Sequence, residues 1–184
     1  PAPVPLPGEP RFTVGLAWDL DTLTLDPSGE AEVEAAGTRR LGRDGWLRAS
    51  IAGGRVVVRA RGSDAWEATL ALGDTLWLRG AENGRSPLTR WNGRTWRGEL
   101  KLFANARGTM TLASRLPLES YLLGVLPGEI GPLADDLVEA GRAQAIAARS
   151  FTLFYKGRRG AEGFDLFGTV EDQVYGPVET ERAL

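Results

Sequence analysis

The sequence has 184 residues, with 22 Lys and Arg against 24 Asp and Glu, a net charge of −2, and neither His nor Cys. The missing His and Cys exclude Ser-His-Asp and Cys-His nucleophiles, zinc sites built from these residues, and disulfides. The charge balance lacks the basic surface of a nucleic-acid-binding protein, so we expect no nucleic-acid partner. Any chemistry must come from carboxylates, Arg, Lys, Tyr or Ser.

Residues 1–10 are proline-rich and predict an extended lead-in rather than a packed element. Because the sequence opens on Pro1 rather than Met, we expect a mature or trimmed chain from which a signal peptide has been removed. No apolar run approaches the length needed to cross a membrane, so we expect no transmembrane segment.

Residues 11–114 predict a β-rich region. Alternation of apolar and polar residues from Phe12 onward is typical of a half-buried strand. Residues 22–25 and 31–34 predict a hairpin around the turn at 26–29. Further strands are predicted at residues 45–51, 55–61, 75–79, 88–91, 95–103 and 109–113. Short strands separated by frequent turns are typical of a small barrel or sandwich.

All six tryptophans lie in this β-rich region: Trp18, Trp46, Trp66, Trp77, Trp91 and Trp96. An exposed indole face stacks well on a sugar ring, which makes carbohydrate binding one interpretation. Strand periodicity favours the other interpretation, in which most tryptophans are core residues or cover sheet edges. Trp91 and Trp96 flank the turn at Asn92-Gly93 and are expected to be the most exposed.

Glu129 lies in a stretch rich in Pro, Gly and aliphatic residues. Before it, Pro117 and apolar residues at helical spacing predict a short helix that ends at Gly124. Residues 126–132 are then predicted to form a loop that carries Glu129. An apolar surround desolvates a carboxyl group and favours its protonated form, which suits a group that donates a proton.

A long helix is predicted over residues 137–155, which contain no Pro and are rich in Ala, the best helix former. Asp136 and Glu139 have the spacing of a capping box at its start. Apolar residues lie nearly all around this helix, a pattern typical of a helix buried at the centre of a fold.

Arg142 and Arg149 lie seven residues apart and therefore share a face of this helix. Buried guanidinium groups need carboxylate or carbonyl partners. Two interpretations stay open: the arginines pair with scaffold carboxylates, or they hold Glu129 or a polar ligand at a cleft.

Together these elements predict an α+β fold, in which a β-rich N-terminal part packs on a helical block with one long central helix. We divide the chain into the lead-in at 1–10, the β-rich region at 11–114 and a third region at 115–184, which contains the Glu129 loop and, at 116–157, the helical block. Residues 158–178, within the last region, are predicted to be irregular.

Three motifs occur in order between residues 116 and 176. They are Leu-Pro-Leu-Glu-Ser-Tyr-Leu-Leu-Gly-Val-Leu-Pro-Gly-Glu at 116–129, Arg-Ala-Gln-Ala-Ile-Ala-Ala-Arg-Ser-Phe at 142–151, and Phe-Asp-Leu-Phe followed by Asp-Gln-Val-Tyr-Gly at 164–176. In this order they resemble the stage II sporulation protein D/amidase-enhancer family. The resemblance implies an extracytoplasmic, cell-wall protein that acts on peptidoglycan glycan strands. Sporulation members are lytic transglycosylases, and amidase-enhancer members are thought to stimulate a partner hydrolase.

By this resemblance, Glu129 occupies the family's catalytic position. One Glu serves both steps of lytic transglycosylation, because it protonates the glycosidic oxygen and then takes a proton from the muramic acid C6 hydroxyl as a 1,6-anhydro ring closes. Arg142 and Arg149 match basic positions of the family's helix, which implies that they orient Glu129 or bind the glycan. Gln173 and Tyr175 belong to the third motif and are candidate cleft residues, but a Tyr at this position is equally expected as a packed loop anchor.

The third motif departs from the family. Sporulation members carry a Cys and a His-Cys pair that bind zinc, and here those positions are Phe167, Glu171 and Asp172. Phe cannot ligate a metal and two adjacent carboxylates make a poor zinc site, so we predict no metal and no other cofactor. The family continues beyond the position of residue 184, so this sequence is either a fragment or a naturally short member.

A second function is compatible with the same motifs. A non-catalytic enhancer or wall-binding module would stimulate a cell-wall amidase instead of cleaving the glycan itself. Such a protein would not need the carboxylate of Glu129, so changing that residue separates the two functions.

Overall fold

The computed structural model describes residues 8–27, 29–35, 37–42, 44–61, 65–80, 87–131 and 137–183. These residues form thirteen β-strands and two α-helices, which confirms the predicted α+β class. The strands make two sheets, and the helices follow the last long strand.

The larger sheet has seven strands. They are β1 (Arg11–Leu20), β3 (Ala31–Glu34), β4 (Thr38–Leu41), β8 (Thr75–Gly80), β11 (Glu99–Ala104), β12 (Met110–Pro117) and β13 (Leu166–Phe167). Their order across the sheet is β13-β1-β12-β11-β8-β3-β4. Its strand pairs are antiparallel, apart from the parallel pair of β1 and β13.

The smaller sheet has six strands. They are β2 (Thr22–Asp26), β5 (Trp46–Ala52), β6 (Arg55–Arg61), β7 (Trp66–Leu70), β9 (Leu88–Trp91) and β10 (Arg94–Arg97). Their order is β10-β9-β2-β5-β6-β7. Tight hairpins join β5 to β6 at Gly53-Gly54 and β9 to β10 at Asn92-Gly93.

The two sheets share one apolar core, so the fold is an open sandwich rather than a closed barrel. The residues that fill it alternate along the strands, as Leu23 and Leu25 do in β2 and Leu76 and Leu78 do in β8. Each of these four side chains is at most 4% exposed. Apolar residues at every second position of these strands therefore point to the same side of the sheet and form this core.

Two strand predictions are wrong in their pairing. Residues 22–25 and 31–34 do not form a hairpin, because β2 pairs with β5 and β9 whereas β3 pairs with β4 and β8 in the other sheet. The strand predicted over 95–103 divides at Gly98 into β10 and β11, which lie in different sheets. Gly98 has a φ of 97°, and a Cβ there would lie 2.5 Å from Ser114 Oγ. Only glycine fits where the chain crosses between the sheets.

Strands β4 and β7 were not predicted, and neither was the two-residue β13, which lies in the range predicted to be irregular. β4 offers a weak signal, since Leu41 is its one apolar residue. β7 does alternate Trp66, Ala68 and Leu70, so its sequence carries a strand signal that the prediction overlooked.

A second apolar cluster joins the larger sheet to α1 (Leu118–Ile130) and α2 (Val138–Phe154). Phe12 of β1 and Leu116 of β12 pack there against Tyr121 and Val125 of α1. The N-terminal strand therefore contributes directly to the core beneath the helices. The division between residues 114 and 115 stays a prediction.

The long helix forms as predicted, but its predicted central burial is wrong. Gly141, Ala148 and Thr152 are the buried residues of α2, whereas Ile146 and Phe154 are 64% and 80% exposed. Small residues on the buried face let α2 pack closely on α1, and the apolar residues of the opposite face meet solvent.

Two predictions fall on chain outside the described residues: most of the lead-in at 1–10, and the cap residue Asp136. Within the described ranges, no helix is both long and apolar enough to cross a membrane.

Candidate active site

Glu129 lies in the last turn of α1, not in a loop as predicted. Its Oε1 accepts a hydrogen bond from the backbone amide of Val174 over 2.7 Å. Its Oε2 accepts none from the residues that the structure describes. Glu129 is exposed, so the predicted apolar surround is wrong. One carboxylate oxygen is held and the other is open to a ligand.

Helix α1 continues past Gly124 because of what packs there. A Cβ on Gly124 would lie 2.4 Å from the ring of Tyr175, so glycine admits another segment at this position rather than ending the helix. Pro127 lacks an amide proton but lies within the last turn, where the Gly131 amide donates to its carbonyl over 3.1 Å. The helix thereby carries Glu129 one turn beyond its predicted end.

Residues 173–176, here called the clamp segment, hold α1 at several points. The Gly176 amide donates to the Gly124 carbonyl over 2.9 Å. The ring of Tyr175 stacks on that of Tyr121 at a centroid distance of 5.3 Å. Together with the Val174 amide on Glu129, these contacts fix the C-terminal half of the helix.

Gln173, predicted as a cleft residue, lies in the interior and is 5% exposed. Its Oε1 accepts a hydrogen bond from the Tyr121 hydroxyl over 3.2 Å and lies 2.7 Å from Thr152 Oγ1. Its Nε2 donates to the Ala148 carbonyl over 3.5 Å. Gln173 therefore ties the clamp segment to both helices.

Tyr175 is also 5% exposed, which matches the packed anchor among its two predicted roles. Its ring contacts Trp96 at 6.0 Å as well as Tyr121. Burial raises the pKa of both tyrosine hydroxyls above their usual value of 10.0. Both therefore stay protonated at neutral pH.

Arg149 and Arg142 pair with carboxylates of the scaffold. Arg149 donates from Nε and Nη2 to the two oxygens of Glu119, each over 2.8 Å. This hydrogen bonding lowers the pKa of Glu119 and raises that of Arg149. Arg142 donates to the exposed Glu139 one turn earlier in α2. The structure does not bring either arginine to Glu129, and their contact with a glycan stays a prediction.

In the family that the sequence resembles, three positions of the third motif bind zinc. In this chain one of them, Asp172, forms an ion pair with Arg159 instead. The side chain of Asp172 is fully buried and accepts hydrogen bonds from Arg159 over 2.9 and 3.1 Å and from the Phe167 amide over 2.8 Å. Burial opposes ionisation, but these donors hold the pKa of Asp172 below its usual value. The ring of Phe167 packs on Trp18 at 4.6 Å. In the described part of the chain, no group of three or more acidic residues could hold a metal ion.

Sequence reasoning missed three contributors to the site. Val174 acts through its backbone amide, for which side-chain chemistry gives no signal. Tyr121 was counted among the apolar residues of the predicted short helix, and Thr152, whose hydroxyl donates to the same oxygen of Gln173, was not singled out. The hydroxyl groups of Tyr121 and Thr152 could have indicated their role, because a hydroxyl group on the buried face of a helix needs a hydrogen-bond partner.

Comparison with known proteins supports the resemblance. Residues 106–183 match the model of the family described as Stage II sporulation protein. An uncharacterized protein of Brachyspira hyodysenteriae is 36% identical over 85 residues. That alignment covers 46% of this chain and 22% of the relative, so the chain spans about a fifth of that protein's length. No solved structure matches the chain. Residues 106–183, which are less than half of the chain, are therefore similar to the Stage II sporulation protein family.

Proposed function

We propose that the chain contains a peptidoglycan lytic transglycosylase centre, with Glu129 as general acid and base. The observation that supports it best is the carboxylate at the end of α1, which has Oε1 held by the Val174 amide and Oε2 open. Glu129 also lies inside the region that matches the family. Because the substrate is the cell wall, the protein would act outside the cytoplasm.

The proposed reaction needs one carboxyl group. Protonated Glu129 donates its proton from Oε2 to the glycosidic oxygen while the bond from that oxygen to C1 of the muramic acid breaks and positive charge develops on the ring. The resulting carboxylate accepts the proton of the C6 hydroxyl as the C6 oxygen bonds to C1. Glu129 ends protonated, as it began, and no water is consumed.

The surrounding residues would orient this carboxyl group and hold the substrate. A preorganised amide donor on Oε1 fixes the direction of Oε2, which reduces the cost of aligning the proton with its target. Arg142 is exposed and Arg149 is partly exposed on α2. We assign both to the binding of the glycan strand, alongside their ion pairs with Glu139 and Glu119.

The test uses glycan strands stripped of their peptides, incubated with the wild-type chain or with Glu129→Gln. Mass spectrometry should detect 1,6-anhydro-muramic ends from the wild type and none from Glu129→Gln, at unchanged melting temperature. Glu67→Gln is the matched control, because it removes an exposed carboxylate of the smaller sheet that contacts neither Arg142 nor Arg149. Equal product from Glu129→Gln, or none from the wild type, would overturn the proposal.

A second candidate function is the non-catalytic stimulation of a cell-wall amidase. The exposed apolar face of α2 favours it, since Val138, Ile146 and Leu153 share one side of the helix and are 49%, 64% and 48% exposed. Apolar surface exposed in this way often marks a protein contact.

The two functions predict opposite results in an amidase assay. If the chain is an enhancer, Glu129→Gln should stimulate a purified cell-wall amidase as well as the wild type does. Ile146→Glu, which places a charge in the middle of the exposed face, should abolish that stimulation. Stimulation that survives Ile146→Glu would argue against α2 as the contact.

A further inference from the structure

A cavity of about 360 Å³ opens at one side of the sandwich, between the outermost strands of its two sheets. Strand β7 is the last strand of the smaller sheet, and β4 is the last strand of the larger one. All five residues of β7 (Trp66–Leu70) line the cavity, and Arg39 of β4 and Val33 of β3 line it from the other sheet. Its volume lies within the range of about 300–1,000 Å³ that is usual for ligand sites. The cavity lies outside the region that matches the family.

The register of β7 shows how the cavity runs. Trp66, Ala68 and Leu70 pair with core residues of β6, so they lie on the inner face of the smaller sheet. Glu67 and Thr69 lie on the outer face, yet they also line the cavity, which places their contact with it along the edge of the strand. The cavity therefore follows β7 lengthwise and borders the edge of its backbone.

The backbone of β7 is unpaired on this edge. Its ladder is with β6, and residues 66–70 make no other backbone hydrogen bond with the parts of the chain that the structure describes. At the opposite end of the same sheet, the edge of β10 is covered, because the Thr95 amide donates to both carboxylate oxygens of Glu179 over 3.0 and 3.2 Å. Among the described residues, one edge of the smaller sheet is thus covered and the other is open to a further strand.

Arg39 points into the gap between the two sheets. It pairs with the core residue Val33 in the ladder of β3 and β4, so it lies on the inner face of the larger sheet. Its guanidinium carbon lies 5.4 Å from the ring centroid of Trp66, which belongs to the facing sheet. It forms no ion pair with the described residues. The charge of Arg39 at this cavity is therefore not balanced by a carboxylate.

The acidic residues that line the cavity have other partners. Glu67 accepts a hydrogen bond from Arg59 over 2.6 Å, and Asp74 accepts one from a backbone amide over 2.8 Å. The indole Nε1 of Trp66 is buried and has no acceptor within the described ranges, although buried donors are normally paired. The wall of the cavity thus contains two donors, on Arg39 and Trp66, for which the fold supplies no acceptor.

We propose that the edge of β7 binds an extended peptide by strand addition, and that this peptide carries a carboxylate opposite Arg39. An added strand forms backbone hydrogen bonds with the edge and places alternate side chains between the sheets. A charge that points inward from an edge strand opposes the entry of a wholly apolar segment. Arg39 therefore selects a strand with an acidic side chain at one inward position and small apolar side chains at the others. This inference does not depend on the proposed glycan chemistry.

The test is fluorescence anisotropy of a labelled heptapeptide, titrated with the whole chain. The peptide has threonine at odd positions and valine, glutamate and valine at the even ones, so that the glutamate can face Arg39. We expect saturable binding that Arg39→Gln weakens at least about tenfold, the loss expected for a hydrogen bond between charged groups. Arg40→Gln is the matched control, since Arg40 is an exposed neighbour on the outer face of the same strand.

The pairing of charges is tested from the peptide side as well. Replacing its glutamate with glutamine should weaken binding to the wild type as much as Arg39→Gln does, and should have no further effect on Arg39→Gln. Because this change leaves the protein untouched, a fault in folding cannot produce the result. Absence of saturable binding to the wild type, or equal affinity of the wild type and Arg39→Gln, would overturn the site.

Strand addition itself is tested with methylated peptides. An added strand directs the N–H and C=O groups of alternate residues towards its neighbour. Methylating the amide nitrogens of one alternate set should therefore abolish binding, and methylating the other set should preserve it. Equal effects of the two sets would overturn strand addition. Dimerisation of the free chain that the peptide disrupts, measured by sedimentation, would show that the edge pairs with a second copy and would overturn the assignment to a partner peptide.

Discussion

The backbone amide of Val174 lies 2.7 Å from Oε1 of Glu129, although 45 positions separate the two residues in the chain. The amide is held there because Gln173, the preceding residue, is bound to both helices. A buried polar network thus supports an exposed carboxylate. The orientation of Glu129 depends on the clamp segment as well as on α1.

Shortening the side chain tests this orientation. Glu129→Asp keeps the carboxyl group but moves it back by one carbon, which removes it from the Val174 amide and from the bond it should protonate. We expect a loss of about 100-fold in the rate of anhydro-product formation, since a displacement near 1 Å has roughly that effect. The measurement is the initial rate on peptide-stripped glycan, with the melting temperature as a check on folding. A rate close to that of the wild type would contradict the role assigned to the amide.

Removing the buried network should cost stability. Gln173→Leu leaves the Tyr121 hydroxyl, which is 0% exposed, without its acceptor. We expect a loss of about 1–3 kcal/mol in the free energy of unfolding, measured by urea denaturation.

Gln144→Leu is the matched control for this variant. Gln144 is a half-buried glutamine of α2 whose side chain makes no hydrogen bond with the described residues. Its replacement should change the free energy of unfolding by less than about 0.5 kcal/mol. Similar losses in the two variants would show that the network of Gln173 contributes nothing specific.

The sandwich was largely predictable because its core follows strand periodicity. Leu23, Leu25, Leu76 and Leu78 alternate with polar residues, and alternation depends on sequence alone. The pairing of strands was not predictable in the same way. β2 and β3 follow each other closely in the sequence but belong to different sheets, and the few residues between them give no sequence signal for that difference.

The candidate site was predictable in its residues but not in its contacts. The motif around Glu129 was found, yet Gly124 and Pro127 suggested a helix end and a loop where the helix continues. The reason is tertiary, because Gly124 makes room for Tyr175. Arg149 was likewise expected to bind either Glu129 or a carboxylate of the scaffold. The spacing of residues in the sequence could not identify Glu119 as its partner.

Substituting Gly124 tests whether it serves packing. Alanine in place of glycine within a helix normally stabilises by about 0.5–1 kcal/mol. At Gly124 we expect the opposite sign, a loss of about 1–3 kcal/mol, because the new methyl group would lie 2.4 Å from the Tyr175 ring. Thermal denaturation followed by circular dichroism measures the change. Gly160→Ala is the control, since a Cβ there meets nothing within 4 Å; a stabilised Gly124→Ala would disprove the packing role.

Acid should weaken the fold through Asp172. The donors Arg159 and Phe167 keep the pKa of this buried carboxyl below its usual value of 3.8 in the folded state. The folded chain therefore binds this proton less readily than the unfolded chain does. The stabilisation is complete above about pH 5, where the unfolded group is ionised, and is lost as the pH falls through the lower, folded pKa.

Asp172→Asn removes both this carboxylate and its pH dependence. We expect a loss of about 1–3 kcal/mol near neutral pH, because Asn keeps the shape but not the charge that Arg159 binds. The difference in free energy of unfolding between the wild type and this variant should shrink as the pH is lowered from about 4 to about 2. Urea denaturation at several pH values measures it, with Glu171→Gln as the matched control, since the neighbouring Glu171 is exposed. A difference that stays constant down to about pH 2 would mean that Asp172 does not titrate in this way, and that another carboxylate causes any acid sensitivity.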